Sequence, residues 1–356
     1  MEIPKEMTAA VLTAPNKLEL KTVEVPHPSN EDVLIRIEAC AICKSDLSLI
    51  NKPWPGQPPY GKFIPGHEYS GTVVKLGNSV DEFHIGDRVV VESHLGCMRC
   101  KNCRLGNYTA CLNYGNLKKG HRANGFTTNG GYAQYVINHI NTVYQIPQSM
   151  SFSEATLITN LGCVLFGFET IGGYIIGDKV AVIGPGPLGL ISVQVAKILN
   201  ARKVYLIGTR ESRLNIGLEM GADHLININK EDPIQTIHND TKGQNVDLVI
   251  EASGSEIGFD TAIKLTKKMG KILLLSFFND PITADISSLG LDNKTVFAVR
   301  GEGRVNCERA VSLLELQKIN LKPLITHSFL LEDIVEALRF YSNPRNDFIK
   351  IIITNN

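Results

Sequence analysis

The segment KVAVIGPGPLGLISVQVAKIL, residues 179–199, decides how this sequence is expected to fold. A β-branched run ends in three glycines spaced G-x-G-x-x-G, and an apolar helix-like stretch follows at once. In such a strand–turn–helix unit the first glycine makes the turn, the second admits a pyrophosphate, and the third lets the helix pack on the strand. The segment therefore predicts a dinucleotide-binding turn made of Gly184, Gly186, Pro187, Leu188 and Gly189.

The chain beyond this turn alternates between strand-like and helix-like segments. Strands are expected at KVYLIG (203–208), HLIN, VDLVIEA (246–252), KILLLSF (271–277) and TVFAVR, with helices starting at Glu211 and after Gly258. Such alternation is typical of an α/β fold with a doubly wound parallel sheet, the Rossmann arrangement. The run TVFAVR would form an edge strand, and an apolar edge favours pairing with a second copy.

The end of the second strand usually selects the nicotinamide cofactor. An acidic residue there binds the ribose 2′-hydroxyl and repels a 2′-phosphate. This chain has Gly208, Thr209 and Arg210 instead, and Arg213 follows either as a further phosphate ligand or as part of a solvated helix face. A hydroxyl and a guanidinium suit a phosphate. We therefore expect NADP(H) to be favoured over NAD(H).

Length and charge narrow the class of protein. A chain of 356 residues is expected to form two domains. Its 36 basic residues balance 36 acidic ones, so neither nucleic acid nor an anionic membrane is an expected partner. The start, MEIPKEMTAAVL, lacks the features of a secretory signal, and eight cysteines then point to a reducing compartment. We expect a cytoplasmic protein.

Four cysteines lie within the fifteen residues 97–111, CMRCKNCRLGNYTAC. Two C-x-x-C steps can bring thiolates to one tetrahedral ion. An iron–sulfur cluster is the weaker alternative because its usual run has a shorter last gap followed by proline. A loop with four reduced cysteines and no bound metal is a further alternative. Since four sulfur ligands leave no open position, the sequence predicts a structural zinc held by Cys97, Cys100, Cys103 and Cys111.

A second set of ligand types lies in ACAICKSD, residues 39–46, and PGHEYSG, residues 65–71. One cysteine, one histidine and one carboxylate, with a position left for water, compose an open catalytic zinc site. The same sequence offers an acid to orient the histidine and a hydroxyl to pass on a proton. Taken alone, a single cysteine and a His–Glu pair favour ordinary structural positions, and the combination with the dinucleotide-binding turn reverses that interpretation. The candidates are Cys43, His67 and Glu68 as ligands, with Asp46 and Ser45 beside them.

Taken together, the ordered motifs resemble the zinc-containing medium-chain dehydrogenase/reductase family. They include CAICKSD, GHEYSGTVVKLGNSVDEFHIGDRVVV, the four-cysteine lobe, NGGYAQYVI, GPGPLG, EMGADHLIN and LITHSFLLEDIVEAL. The resemblance implies a mostly β, GroES-like catalytic domain with a zinc lobe, formed by residues 1–157 and 297–356. A Rossmann domain, residues 158–296, would lie between these segments in the chain.

The resemblance also assigns roles, with two departures. Cys43 and His67 match catalytic zinc ligands, Glu68 a ligand or near neighbour, Ser45 the relay hydroxyl and Asp46 the acid behind the histidine. In the family, a further ligand position carries cysteine or glutamate. Here it falls on Thr159 or Asn160, and Cys163 three residues on is more simply a core residue. A histidine common two residues after Asp46 is replaced by Ser48.

The implied reaction is the reversible oxidation of a secondary alcohol by a nicotinamide cofactor. A polyol, sugar or cyclitol is favoured as substrate, with a simple secondary alcohol or threonine as the alternative. Arg300 and Glu302 are candidates either for substrate contacts or for solvated turn positions. A non-enzymatic nucleotide-binding redox sensor is the alternative from another class. A homodimer or homotetramer is expected from the resemblance.

Overall fold

The computed structural model describes residues 2–278, 280–303 and 305–355, and the chain divides into two compact units. One unit comprises Met1–Thr159, Gly301–Gln317 and Leu321–Asn356, and the other comprises Asn160–Arg300 and Lys318–Asn320. The sequence predicts the limits after residues 157 and 296, whereas the observed division follows Thr159 and Arg300.

The N-terminal part of the first unit is mostly β-structure with three short helices. Its strands are β1 (Glu6–Ala14), β2 (Lys17–Glu24), β3 (Asp32–Ala41), β4 (Glu68–Leu76), β5 (Arg88–Val91), β6 (His94–Leu95), β7 (Arg122–Ala123), β8 (Tyr135–His139) and β9 (Val143–Gln145). Its helices are α1 (Lys44–Asn51), α2 (Lys101–Arg104) and α3 (Phe152–Ala155).

The second unit alternates strands and helices, and this confirms the predicted Rossmann sheet. After α4 (Ile158–Thr170) come β10 (Lys179–Ile183), α5 (Pro187–Ile198), β11 (Lys203–Gly208), α6 (Glu211–Glu219), β12 (His224–Asn227), α7 (Pro233–Asp240), β13 (Val246–Glu251), α8 (Glu256–Leu265), β14 (Thr266–Leu274), α9 (Ile286–Leu291) and β15 (Thr295–Ala298). Every adjacent pair is parallel, in the order β12-β11-β10-β13-β14-β15. The run TVFAVR therefore does supply an edge strand.

Two elements of this unit differ from the sequence expectation. Helix α8 begins before Gly258, because the Ser255 side chain accepts a hydrogen bond from the Gly258 N–H and caps the helix. Strand β14 begins at Thr266 and not at residue 271, and a register irregularity separates its first pairing from the rest. Such an irregularity leaves no trace in an apolar pattern.

The C-terminal segment returns to the first unit. It contributes α10 (Asn306–Glu315), β16 (Ile325–Leu330), α11 (Ile334–Ser342) and β17 (Lys350–Thr354). Strand β17 pairs antiparallel with the end of β3, which also pairs with β4 and β8. The seven-stranded sheet of this unit is thus completed by the last strand of the chain. Across the described residues, no helix has the length and apolarity needed to cross a membrane.

Candidate active site

The Cys43, His67 and Glu68 side chains lie together. Cys43 precedes α1 as its N-cap, while His67 and Glu68 stand where the chain enters β4. Their sulfur, nitrogen and carboxylate oxygen ligand atoms all lie within 4.8 Å of one another. Gly66 has φ +93°, a conformation that favours glycine, and an added Cβ would meet the Tyr132 ring at 2.8 Å. This turn places both ligands on the side of Cys43.

Asp46 fixes the orientation of the His67 ring, as the sequence predicts. The fully buried carboxylate accepts a hydrogen bond from His67 Nδ1 at 2.8 Å, so Nε2 is the nitrogen left for a metal. Burial lowers the pKa of His67, but Asp46 outweighs burial and raises that pKa well above its usual value. Asp46 also accepts hydrogen bonds from the Tyr132 hydroxyl (2.8 Å) and the Cys43 N–H (2.9 Å).

Ser45 lies on the ligand side of the same imidazole. Its Oγ is 3.2 Å from His67 Nε2, the nitrogen that Asp46 leaves available. The side chain is half-buried, whereas Asp46 behind the ring is fully buried. A hydroxyl at this boundary can exchange a proton with groups on its more exposed side.

Glu68 forms a buried ion pair with Lys350 of the last strand. The Lys350 ammonium contacts Glu68 Oε2, while Glu68 Oε1 is 4.0 Å from His67 Nε2. Both residues are only 2% exposed. Burial alone lowers the pKa of Lys350, but the Glu68 carboxylate outweighs it and raises that pKa above its usual value. One carboxylate oxygen is thus engaged by a cation, and the other faces the ligand cluster.

The further ligand position, for which the family resemblance implies a cysteine or a glutamate, falls on Thr159 or Asn160. The buried Thr159 hydroxyl donates back to the Thr156 carbonyl at 3.3 Å. Asn160 is buried as well and belongs to the second unit. Among the described residues, Cys163 is part of neither group of metal-ligating side chains. The donors present therefore suit a zinc bound by Cys43, His67 and Glu68 with water in the fourth position.

The four lobe cysteines form a second, closed cluster. All are free thiols, and their ligand atoms lie within 4.8 Å of one another. Backbone N–H groups of the loop and the Asn113 side chain donate to the sulfurs, the latter to Cys97 Sγ at 3.1 Å. Burial raises the pKa of Cys97, but the Asn113 amide and neighbouring N–H groups outweigh it and lower that pKa to about 6. Four sulfur donors of this kind suit a structural zinc.

A buried glutamate connects this lobe to the rest of its unit. The hydroxyls of Tyr108, in the lobe, and Tyr144, on β9, donate to the two oxygens of Glu92, the latter at 2.7 Å. Glu92 is 1% exposed. Burial and then the nearby Glu302 carboxylate raise the pKa of Glu92 to about 8. Glu302, a candidate from the sequence, is buried and pairs with His94, so it is not a solvated turn residue.

The glycine turn of the second unit has the conformation that the sequence predicts. Gly184 has φ +98°, and an added Cβ would meet Ser253 N at 2.8 Å. Gly186 is the N-cap of α5, with Pro187 and Leu188 in the first turn, and no side chain caps this helix end. A Cβ at Gly186 would meet no atom within 4 Å, so the space beside the helix N-terminus is open. Such an end suits a pyrophosphate.

The residues that follow from the end of β11 lie in the order that the sequence indicates. Gly208 is its last residue, exposed Thr209 follows, and Arg210 is the N-cap of α6, with Arg213 in the first turn. The first acid after the strand, Glu211, forms an ion pair with Lys230. The hydrogen bond from Lys230, followed by that from Asn227, lowers the pKa of Glu211. The last position of β11 is thus a glycine, and the first acid beyond it is already paired with a cation.

Two family models match most of this chain. The alcohol dehydrogenase GroES-like domain matches residues 29–148, and the zinc-binding dehydrogenase domain matches residues 187–315. The chain belongs to the zinc-containing medium-chain dehydrogenase family. It is accordingly a zinc-dependent, NAD(P)-dependent oxidoreductase, and the predicted fold of a Rossmann sheet with a GroES-like domain is confirmed.

Relatives of this dehydrogenase cover nearly all of it. The L-threonine 3-dehydrogenase of Pyrococcus furiosus is 32% identical over 91% of this chain and 92% of its own. The sorbitol dehydrogenase of Bacillus subtilis is 28% identical over 99% of both chains. A solved structure from Sinorhizobium meliloti, a proposed zinc-binding dehydrogenase bound to NADP, has a TM-score of 0.89 and 25% identity over 99% of this chain and 100% of its own.

Sequence reasoning missed three side chains of the dehydrogenase site. Tyr132 supports Asp46, Lys350 pairs with Glu68, and His94 pairs with Glu302. A signal for Lys350 was present, because FIKIIIT places a single cation inside an apolar strand, and a buried cation requires a partner. Tyr132 and His94 carry no comparable signal, since tyrosine and histidine are common at half-buried positions.

Proposed function

We propose that this dehydrogenase oxidises a secondary alcohol of a polyol, sugar or cyclitol, reversibly, with NADP(H) favoured over NAD(H). The observation that carries the proposal is the group of Cys43, His67 and Glu68 ligand atoms within 4.8 Å, with Asp46 behind the histidine. The chemistry of this donor set fits an open catalytic zinc, whereas the lobe's four sulfurs fit a closed structural one.

Each protein group has a distinct task in this proposal. Bound zinc supplies a Lewis acid for the substrate oxygen, and bound nicotinamide supplies the hydride acceptor. Asp46 keeps the proton on His67 Nδ1, so that Nε2 presents its lone pair to the metal. Ser45 moves the alcohol proton outward from its position 3.2 Å from Nε2. Lys350 offsets one negative charge of the ligand set through Glu68.

The cofactor preference rests on the end of β11. Gly208 offers no carboxylate to a ribose hydroxyl, and Thr209 with Arg210 supplies a hydroxyl and a cation instead. The nearest acid, Glu211, is engaged by Lys230. We expect a higher kcat/KM with NADP than with NAD, and a clear preference for NAD would contradict this part of the proposal.

Threonine is the second candidate substrate. The Pyrococcus furiosus relative is named for it, and its identity to this chain exceeds that of the sorbitol dehydrogenase. Threonine and polyols both carry a secondary alcohol next to a polar group. A simple secondary alcohol ranks lower, because threonine and sorbitol, for which the two relatives are named, both carry further polar groups.

The oligomeric state and the cellular location are proposed from the edge strand β15 and from the cysteines. The edge strand β15 has exposed Val296 and pairs on one side only within the described sheet, which supports a homodimer or homotetramer. None of the eight cysteines, all of which lie in the described residues, forms a disulfide, and this supports a reducing compartment such as the cytoplasm.

The test is a panel of polyols, sugars, amino alcohols and simple alcohols, each assayed with NADP and NAD by absorbance of the reduced nicotinamide. The proposal expects turnover of at least one polyhydroxylated or amino alcohol. Elemental analysis should find about two zinc equivalents per chain, one for each cluster. A fully zinc-loaded protein without turnover on any of these classes would refute the proposal.

A further inference from the structure

Glu251 is a buried carboxylate to which the mechanism above gives no role. It is the last residue of β13 and is fully buried, at 0% exposure. Its strand neighbours Val249 and Ile250 are apolar and equally buried. A carboxylate in such a place is strongly disfavoured unless hydrogen bonds or a cation compensate it. Because an apolar side chain would suit a structural position better, Glu251 is a candidate for a functional role.

Hydrogen bonds, and not a cation, hold the Glu251 carboxylate among the described residues. Oε1 accepts from the Ser253 N–H at 2.9 Å, from the Ser253 hydroxyl and from the Gly254 N–H at 3.2 Å. Oε2 accepts from the Gly254 N–H at 3.2 Å and from the Ser276 hydroxyl at 2.5 Å. Ser253 and Gly254 follow β13, while Ser276 follows β14. One side chain thus ties together the loops that leave two adjacent strands.

The segment that Glu251 holds lies directly against the glycine turn. An added Cβ at Gly184 would meet the Ser253 nitrogen at 2.8 Å. Gly254 has φ +64°, a conformation that favours glycine, and a Cβ there would meet the Phe277 carbonyl oxygen at 2.7 Å. The backbone segments after β10, β13 and β14 are therefore packed against one another, and a shift of the loop after β13 would disturb its neighbours.

The strand order shows what this edge of the sheet can bind. β10 and β13 are neighbours in the sheet although β11 and β12 come between them in the chain, so the strand order reverses at this pair. Dinucleotides bind across such a reversal, in the crevice outside the carboxyl ends of the strands. The end of β11 serves the adenosine half of the cofactor, and the ends of β13 and β14 belong to the other mononucleotide half. Glu251 therefore lies under the half that takes the nicotinamide.

We propose that Glu251 is a positioning residue for the nicotinamide half of the cofactor, because it holds residues 252–254 and Ser276 in the conformation that binds this half. Its effect is indirect, since the carboxylate is enclosed and does not itself contact the cofactor. Without its oxygens the N–H groups of the loop lose their acceptors, and the loop must be ordered when the cofactor binds. The inference concerns the cofactor alone and holds whichever alcohol is the substrate.

The experiment separates the two halves of the cofactor by binding, without turnover. One probe is NADPH or NADH, whichever binds the wild type more tightly. The other is the matching ADP-ribose, with its 2′-phosphate where NADPH is used, which lacks the nicotinamide. Glu251→Leu removes both acceptor oxygens. Calorimetry should show that its Kd for the reduced cofactor rises about 10- to 100-fold, while its Kd for the ADP-ribose changes by less than about threefold. Equal losses for both probes, or a loss for neither, would overturn the inference.

Glu251→Gln tests whether hydrogen bonds carry the effect. Its amide oxygen can accept from the Ser253 and Gly254 N–H groups, and its NH2 group can donate to the Ser276 hydroxyl. We expect both Kd values to stay within about threefold of those of the wild type, and a loss as large as that of Glu251→Leu would contradict the proposed role. Ser276→Ala removes a single donor, so that it tests the same effect even if Glu251→Leu does not fold. It should raise the Kd of the reduced cofactor alone, by about three- to tenfold.

The matched control is Asp247→Asn. Asp247 lies near the start of β13, where it accepts from the Lys179 N–H at 2.8 Å and pairs with Lys267. The substitution thus perturbs polar contacts of the same strand at the edge of the sheet opposite the crevice. We expect the ratio of the two Kd values to equal that of the wild type. A change of this ratio as large as in Glu251→Leu would show that any disturbance of β13 alters cofactor binding, and it would overturn the specific role of Glu251.

Discussion

The two metal-ligand clusters of this dehydrogenase are built in opposite ways. The lobe cluster takes four identical donors from one loop of fifteen residues and satisfies its sulfurs with N–H groups of the same loop. The other cluster takes three different donors from the N-cap of α1 and the start of β4, and depends on Asp46, Tyr132 and Lys350 for support. The lobe cluster is local, because one loop supplies all its ligands, and it can form by itself. The cluster of Cys43, His67 and Glu68 is dispersed along the chain and requires the completed fold.

The largest expected effect concerns the local cluster. Cys103→Ser should remove about one zinc equivalent and unfold the lobe, since structural zinc contributes roughly 10–16 kcal/mol in small peptides. Elemental analysis and hydrogen exchange of the lobe amides measure this. Cys163→Ser, which alters a cysteine outside both clusters, should keep both metals. A protected lobe in the Cys103 variant would show that its fold does not depend on the metal.

The next effect concerns turnover at the dispersed cluster. Cys43→Ala or His67→Ala should lower kcat/KM more than about a thousandfold, because each removes a zinc ligand of the proposed active site. Nicotinamide binding, followed by fluorescence of the reduced cofactor, should remain, since the glycine turn belongs to the other unit. Cys163→Ala is again the control. Substantial activity in either ligand variant would exclude this cluster as the catalytic centre.

A smaller effect is expected from the ion pair behind Glu68. Lys350→Met leaves the buried Glu68 charge without its cation and should lower the free energy of unfolding by about 3–5 kcal/mol. Denaturant titration measures the loss. Adding Glu68→Gln removes the unpaired charge and should restore part of the stability. If the double variant is no more stable than the single one, the loss comes from packing around Lys350 and not from charge.

The last and most gradual effect is a pH dependence at the connection between the lobe and the sheet, small at any one pH step. Because the folded state raises the pKa of Glu92 to about 8, the proton on Glu92 stabilises the fold. That contribution is complete below the unfolded pKa of about 4.3 and declines by up to about 1.4 kcal/mol per pH unit as the pH approaches 8. Glu92→Gln should flatten the stability profile over this range, as measured by thermal unfolding. A profile identical to that of the wild type would show that Glu92 does not titrate there.

The contrast between local and dispersed clusters also explains which features of the molecule the sequence predicts. The Rossmann strands and the lobe ligands are visible because each depends on neighbours in the chain: an apolar run, a glycine turn, two C-x-x-C steps. Asp46 was predictable for the same reason, since it lies three residues after Cys43 in the first turn of α1. Local spacing thus accounts for the Rossmann strands and for the lobe ligands, whereas the set of Cys43, His67 and Glu68 was assigned by the family resemblance.

Long-range partners were not predictable from spacing. Lys350 reaches Glu68 because β17 pairs with β3, and β3 pairs with β4, so the contact depends on a sheet register that one sequence does not reveal. Glu302 reaches His94 by a similar return of the chain. The start of β14 was misjudged because a register irregularity follows its first residue pair. The unpredicted features are those set by tertiary pairing.

The position of Lys350 in β17 has a consequence for biosynthesis. During translation, the chain from the first strand to the end of the Rossmann sheet emerges before β17 does. Until that strand adds to β3, Glu68 lacks its cation, and the sheet that carries the dispersed cluster exposes an unpaired edge. A nascent chain can therefore acquire its lobe metal early, but it completes its active centre only once its final strand is free to pair.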